Sequence, residues 1–74
     1  MFITLTNASP KFKGQSITIN SEHIVTMWRG DAPRTVTPEG EITETENVTL
    51  IFVPPHGTWE VEETPEHIAT LLNR

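Results

Sequence analysis

The sequence predicts a small, mainly β domain of the α+β class: an antiparallel sheet or partly open barrel of four to five strands with one C-terminal helix. Three observations favour this fold. Apolar and polar residues alternate in several short segments, which is the period of a half-buried strand. The 74 residues include twelve threonines, whose stiff side chains suit a pleated sheet. One helical apolar pattern stands near the end. We expect residues 1–74 to form a single domain, because a chain of this length holds only one core.

The first half of the chain predicts three strands, each recognised by its alternation of apolar and polar residues. Pro10 and Gly14 belong to the loop after the first strand, where small polar residues also favour a turn. A tight polar corner at Asn20 separates the second strand from the third. The three predicted strands are residues 2–7, 15–20 and 23–28.

Residues 29–46 are polar and lack a core pattern, and we interpret them as an inserted hairpin arm or loop. Turn chemistry stands at the middle of this segment. Pro38 presets φ, and Gly40 tolerates a positive φ. A turn centred there predicts that Trp28 lies opposite Ile51 across the strand pair.

The second half of the chain predicts two more strands and the helix. Residues 48–53 carry apolar side chains on both faces, and residues 58–62 alternate almost perfectly. Thr64 can cap the free N–H groups of a helix, and Pro65 fits the first helical position. An apolar stripe follows at helical spacing, so we expect the helix from about Thr64 to Leu72.

The charge is unevenly distributed along the chain. The formal net charge is −5, but residues 1–37 carry four basic and two acidic residues, whereas residues 38–74 carry one basic and eight acidic residues. One interpretation is that the glutamates keep one face of the sheet in solvent. The other is that unlike surfaces meet between subunits and specify the partner.

Several blocks of the sequence share the order and spacing of a known family. The blocks are Met1 with Leu5-Thr6, Ile19-Asn20 with Ile24, Val48-Thr49-Leu50, and Gly57-Thr58-Trp59-Glu60-Val61-Glu62-Glu63 with Ile68. In these blocks the chain resembles the flagellar FlbD-type motility protein family, and similar small proteins of bacteriophages. The resemblance implies a mostly β fold with a terminal helix and a non-enzymatic role in a bacterial or phage setting. It supplies no catalytic motif, and relative to it residues 29–46 are inserted.

No catalytic residue, cofactor-binding residue or metal ligand is predicted, and we expect no enzyme activity. Metal sites on helices use histidines four residues apart, and structural zinc sites use cysteine. The chain has no cysteine and only three well-separated histidines. The serines lack a nucleophile-elbow context, and the glycines are too scattered to form a phosphate loop. The three histidines are His23, His56 and His67.

The remaining possibility is an interaction or assembly module. A small sheet with one helix can cover only one face of the strand at residues 48–53, so we expect Ile51 and Val53 on the uncovered face with Trp28 beside them. These three residues are the predicted interface of a homo-oligomer, most simply a dimer, with an unidentified protein partner as a further possibility. No segment approaches the roughly 18 apolar residues of a membrane span, so we expect no membrane partner and a cytoplasmic setting.

A second hypothesis is a nucleic-acid-associated small β barrel that uses the basic N-terminal half. Lys11, Lys13 and Arg34 are its predicted contacts, and Phe12 and Trp28 lie near basic residues in the sequence. Positive charge attracts phosphates, and aromatic side chains can stack on bases. The acidic net charge makes this hypothesis second to protein binding.

Overall fold

The computed structural model describes residues 1–73, and within them the chain forms five strands, one 3₁₀ turn and one α-helix. The predicted mainly β class with antiparallel strands and a C-terminal helix is confirmed. The elements are β1 (Phe2–Thr6), β2 (Ser16–Asn20), the 3₁₀ turn (Ser21–His23), β3 (Thr26–Val36), β4 (Ile42–Val53), β5 (Gly57–Val61) and α1 (Pro65–Leu72).

The strands form two antiparallel sheets that are joined at one end. One sheet contains β1 and β2, and the other has the order β3-β4-β5. Past the end of β1 the chain runs beside β5: the Ala8 N–H donates to the Glu60 carbonyl at 2.9 Å, and the Glu62 N–H donates to the Thr6 carbonyl at 2.9 Å. The described residues therefore form an open pair of joined sheets and not a closed barrel.

The core lies between the two sheets and α1. Leu5, Ile51 and Ile68 are among the largest fully buried side chains. Because β1, β4 and α1 each contribute one of them, burial of this apolar surface holds the two sheets and the helix together. The main core cluster contains Ile3, Leu5, Ile19, Ile51, Val53, Val61 and Ile68.

The helix begins where the sequence predicts it. The Thr64 hydroxyl oxygen accepts a hydrogen bond from the His67 N–H at 3.1 Å, and Pro65 occupies the first turn. Just before the cap, the Glu63 carboxylate accepts hydrogen bonds from the N–H and the hydroxyl of Thr6, each at 2.9 Å. The start of α1 is thereby fixed to the end of β1, which positions the apolar stripe of the helix over the core.

The β3–β4 hairpin has the predicted turn but a different register. Residues 37–41 form the connection, and Gly40 has a φ of +87°. The five-residue connection is centred on Glu39, so Trp28 pairs with Leu50, and the predicted pairing of Trp28 with Ile51 is wrong. A shift of one residue matters, because successive side chains of a strand point to opposite faces.

The outer part of this hairpin is a two-stranded arm, which we define as residues 35–45. The molecule measures 45 × 23 × 20 Å, and β4, its longest strand, runs from the arm into the body. Apart from half-buried Thr37, every residue of the arm is exposed, including Val36 and Ile42, which pair with each other. A two-stranded hairpin is only marginally stable by itself. Packing of the arm against another surface would therefore stabilise it.

Candidate interaction surfaces

The outer face of the β3-β4-β5 sheet, opposite the core, carries an exposed apolar surface. We call Trp28, Leu50 and Phe52 the outer patch. Trp28 is 43% exposed and Phe52 is 38% exposed. Leu50 is half-buried; it pairs with Trp28 across β3 and β4 and lies two residues before Phe52 on β4. Exposed aromatic side chains that lie together on a small protein are typical of a contact surface.

Gly30 is part of the reason that the outer patch packs as it does. A Cβ atom at this position would lie 3.3 Å from Leu50 Cδ1 and 3.7 Å from Trp28 Cδ1. The missing side chain therefore lets the leucine and the indole approach the backbone of β3 closely. This approach places two of the three patch residues side by side.

The prediction that Ile51 and Val53 lie on an uncovered face is wrong. Ile51 is 0% exposed and Val53 is also buried, both in the main core cluster. Both faces of β4 are apolar, and the face with Ile51 and Val53 is the one on which the other sheet and α1 pack. Of the three predicted interface residues, only Trp28 lies at the surface. The exposed residue of β4 near it is Phe52, and not Ile51 or Val53.

The other end of the outer face is covered by the β1–β2 loop. Ala8 from this loop is fully buried and packs with Ala32 of β3 and Val48 of β4. This small cluster accounts for the apolar side chains at that end of the sheet. The open part of the outer face is therefore confined to the outer patch and its polar neighbours.

An ion network fixes the same loop and the base of the arm to the outer face. Arg34 Nε donates to a Glu46 carboxylate oxygen at 2.7 Å, and Arg34 Nη2 donates to Glu60 at 2.8 Å and to the Ala8 carbonyl at 3.1 Å. Lys13 Nζ donates to the other Glu46 oxygen at 2.8 Å. We call Lys13, Arg34, Glu46 and Glu60 the loop network. The loop network links β3, β4 and β5 to the segment between β1 and β2.

The loop network contains two of the three predicted nucleic-acid contacts. Lys13 and Arg34 are both engaged with carboxylates, and the Lys11 ammonium lies 5.5 Å from the centre of the Phe12 ring. Two of the three positive charges are therefore compensated within the chain. A phosphate backbone would have to compete with Glu46 for them, which weakens the nucleic-acid hypothesis.

Hydrogen bonds from Lys13 and then Arg34 lower the pKa of Glu46 below its usual value, and the bond to Glu46 raises the pKa of Arg34. A carboxyl group with a lowered folded-state pKa stabilises the fold above its unfolded-state pKa, about 4.3, and loses that contribution as pH falls through the folded-state value. We therefore expect the urea midpoint of unfolding to fall more steeply with acid for the wild type than for Glu46→Gln. Tryptophan fluorescence reports the midpoint, and parallel pH curves for the two proteins would contradict this role of Glu46.

A second surface feature is a cleft of about 380 Å³ between β2 and the β4–β5 turn. It brings together two exposed histidines, His23 and His56, although 32 residues separate them in the sequence. Sequence reasoning missed this pair, because only the packing of the two sheets brings the histidines to one cleft. Within residues 1–73, no three side chains of the metal-binding types converge. The cleft is lined by Ile17, Thr18, Ile19, Asn20, His23, Val53, His56 and Trp59.

Arg29 has a structural role between the sheet strands. Its guanidinium donates to Thr49 Oγ1 at 2.8 Å, to Asn47 Oδ1 at 2.6 Å and to the Glu62 carbonyl at 3.2 Å. These bonds satisfy the buried Thr49 hydroxyl and connect β3 and β4 with the end of β5. The guanidinium is thereby held along the sheet.

Comparison of the chain with protein-family models, with curated proteins and with solved structures gave no match. Membership of the FlbD-type family therefore stays a prediction from the sequence. The described residues include no helix with the length and apolar character needed to cross a membrane.

Proposed function

We propose that the protein is a non-enzymatic interaction or assembly module of phage or bacterial type, which self-associates through the outer patch, most simply as a two-fold dimer. The observation that carries this proposal is the exposure of Trp28 and Phe52 beside Leu50 on one face of the sheet. A two-fold axis over this face would pack the patch of one copy against the same patch of the other.

Polar residues surround the outer patch in the way that a contact surface requires. Thr26 on β3 and Thr58 on β5 pair with Phe52 from either side, and both are exposed. Interfaces commonly have an apolar centre with such a polar rim. Burial of the outer patch would contribute roughly 25 cal/mol of stabilising free energy for each Å² of apolar surface removed from water. A small domain with one core buries little surface by itself, so this contribution would add substantially to its stability.

The proposal includes a cytoplasmic setting, which the absence of cysteine supports. A different protein that covers the same patch is the alternative occupant, and the mass measurement below separates the two. We do not propose nucleic acid as a partner, because Lys13 and Arg34 are paired with glutamates.

We expect the wild-type protein to have about twice the 8.3 kDa mass of one chain in light scattering at micromolar concentration. Trp28→Glu should return it to the monomer mass, because the new carboxylate would be buried without a partner at the centre of the contact. Phe2→Glu is the matched control, since Phe2 is an exposed aromatic residue on the other sheet and should leave the dimer intact.

Circular dichroism of each variant shows whether it is folded, so that loss of the dimer can be distinguished from unfolding. Trp28 is 43% exposed and lies outside the main core cluster, so its replacement should preserve the β spectrum of the wild type. A wild-type protein with the mass of one chain would contradict self-association. A dimer that survives both Trp28→Glu and Phe52→Glu would contradict the outer patch as its contact.

A further inference from the structure

The strand β3 forms one edge of its sheet. It pairs with β4 on one side, and the order β3-β4-β5 places no described strand on the other. Its exposed residues include Trp28, Arg29, Asp31 and Pro33. An edge strand presents a row of unpaired N–H and C=O groups, which natural sheets usually cover or guard. The backbone of β3 is therefore a candidate contact surface in addition to the side chains of the outer patch.

The directions of two carbonyl groups show which residues of β3 face the open side of this strand. The Val25 N–H donates to the Phe52 carbonyl at 3.0 Å, so the backbone of Phe52 faces β3. The His56 N–H donates to the Val53 carbonyl at 3.0 Å across the β4–β5 turn, so the backbone of Val53 faces β5. Backbone direction alternates along a strand, so the even-numbered residues of β4 face β3, and their even-numbered partners face β4. The odd-numbered residues of β3 therefore turn their N–H and C=O groups to the open side.

We call the backbone of Met27, Arg29, Asp31 and Pro33 the open edge. Pro33 has no N–H group, and proline in a sheet is confined to positions where its nitrogen does not face a paired strand, which agrees with this assignment. Among residues 1–73, no backbone group from outside the β3–β4 pair bonds to the other three residues. The pairing with β4 becomes irregular after Pro33, so the regular part of β3 ends with the open edge.

The charged side chains of β3 leave the open edge unguarded. Natural edge strands often carry lysine or other charges that keep a second strand away, and β3 contains no lysine. The Arg29 guanidinium lies over β4, where it donates to Asn47 Oδ1 at 2.6 Å and to Thr49 Oγ1 at 2.8 Å. The Asp31 Oδ1 accepts a hydrogen bond from Asn47 Nδ2 at 3.1 Å. Both side chains therefore lean toward β4, and the backbone of the open edge stays accessible to another strand.

We propose that the open edge pairs with the open edge of a second copy, antiparallel about a two-fold axis at Gly30, so that the three-stranded sheets of the two copies become one continuous sheet. In this register each Arg29 lies opposite the Asp31 of the other copy. Both residues face the open side, so each such pair exchanges two backbone hydrogen bonds. The Met27 N–H donates to the Pro33 carbonyl of the other copy, a bond that needs no donor from proline.

The order of charges along β3 selects this register and a second copy as the occupant. An axis at Arg29 would place two arginines opposite each other, and an axis at Asp31 would place two aspartates opposite each other, which is destabilising. An axis at Trp28 would leave Asp31 opposite a residue that precedes β3. The axis at Gly30 places opposite charges across from each other, while the side chains keep their bonds over β4. The open edge is thus complementary to itself, as a two-fold contact requires.

This contact goes beyond the proposed self-association, because it uses the edge of the sheet and not its outer face. Strand pairing leaves the outer patch of each copy open, so the two contacts do not compete for the same atoms. Chains that make both contacts would assemble beyond the dimer, most simply as a tetramer with two kinds of two-fold axis. The open edge extends only from Met27 to Pro33, so we expect it to pair at higher protein concentration than the outer patch.

The Phe52→Glu chain isolates the edge contact, since the substitution disrupts the outer patch and leaves β3 unchanged. NMR measures the exchange of its backbone amide hydrogens at about 20 µM and about 2 mM, a range over which mass action favours a weak contact. We expect exchange at Arg29 and Asp31 to be about fivefold slower at the higher concentration, because pairing protects these N–H groups. The N–H groups of Trp28 and Gly30 face β4 and should exchange slowly at both concentrations.

Two further variants of the Phe52→Glu chain test the open edge directly. Asp31→Pro removes one N–H group of the open edge, as Pro33 does naturally, and removes no bond to β4. The concentration dependence at Arg29 should disappear in this variant. Asp31→Asn is the matched control, because it keeps the N–H group and should retain a concentration dependence. Circular dichroism shows whether each variant is folded, and unchanged protection of Arg29 in folded Asp31→Pro would contradict the proposed pairing.

The possible results separate this inference from the proposed function. A wild-type dimer that becomes a monomer with Phe52→Glu, and whose edge amides exchange at the same rate at both concentrations, overturns pairing with a second copy and leaves the outer patch standing. Dimers that persist in both Trp28→Glu and Phe52→Glu, with Arg29 and Asp31 protected, support the strand pairing and overturn the outer patch. An equal slowing at exposed amides of the arm indicates nonspecific association and overturns the edge contact.

Discussion

Replacing Ile51 with alanine should lower the free energy of unfolding by about 2–5 kcal/mol, the range found when a large buried aliphatic side chain is truncated. Ile51 is fully buried in the cluster that joins β1, β4 and α1, so the surrounding side chains cannot all move in to fill the space. A domain of 74 residues has a total stability of only about 4–11 kcal/mol. The variant should therefore lose a large fraction of the stability of the fold.

Phe52→Ala is the matched control for this measurement. Phe52 is the next residue of β4, lies on the opposite face and is more than one-third exposed. Because solvent already reaches part of the ring, its removal should lower the free energy of unfolding of the monomer by only about 1–2 kcal/mol. Urea unfolding of dilute protein measures both values. Equal losses, or a larger loss for Phe52, would mean that β4 turns its other face to the core.

Arg34→Ala should lower the free energy of unfolding by about 1–2 kcal/mol, because it leaves the Glu46 and Glu60 carboxylates without their shared guanidinium. The Arg34 side chain is only 14% exposed, so solvent replaces these bonds poorly. The same substitution removes the donor to the Ala8 carbonyl, which holds the β1–β2 loop over Ala32 and Val48. The substitution should therefore increase the rate of backbone hydrogen exchange more in residues 8–14 than in α1.

Lys13→Ala and Arg34→Lys are the controls for the loop network. The Lys13 side chain is largely exposed, and exposed ion pairs contribute little, so its removal should have a much smaller effect. Lysine at position 34 keeps the charge but lacks the planar set of donors that reaches three acceptors at once. Arg34→Lys should consequently fall between the wild type and Arg34→Ala. A wild-type stability for Arg34→Ala would contradict the role of the loop network.

The elements of this fold were predictable because each has a local signal. Alternation marks the strands, and Thr64 with Pro65 marks the start of α1. The choice between the two faces of β4 had no such signal, since Leu50 and Phe52 are as apolar as Ile51. That choice depends on which face of β4 the other sheet and α1 pack against, and alternation along β4 does not encode this long-range packing.

The contacts of the candidate surfaces were not predictable from spacing along the chain. Lys13 and Glu46 are far apart in the sequence, as are His23 and His56, and only the folded sheets bring each pair together. The two interpretations of the uneven charge, a solvated face and a contact between subunits, do not include ion pairs within the chain. Basic residues of the first half meet acidic residues of the second half within one chain, in the loop network.

The pairing of the chain beyond β1 with β5 also sets the order of events during synthesis. β1 is made well before its neighbour at Val61 and before the Glu63 carboxylate that binds Thr6. Ile68, which completes the core over Leu5, follows even later. The β1–β2 and β3–β4 hairpins can form on the nascent chain, but their apolar faces stay open until α1 has left the ribosome. The core therefore closes only once the chain through α1 has been made, and such long-range closure makes folding slower and exposes the unfinished chain to aggregation.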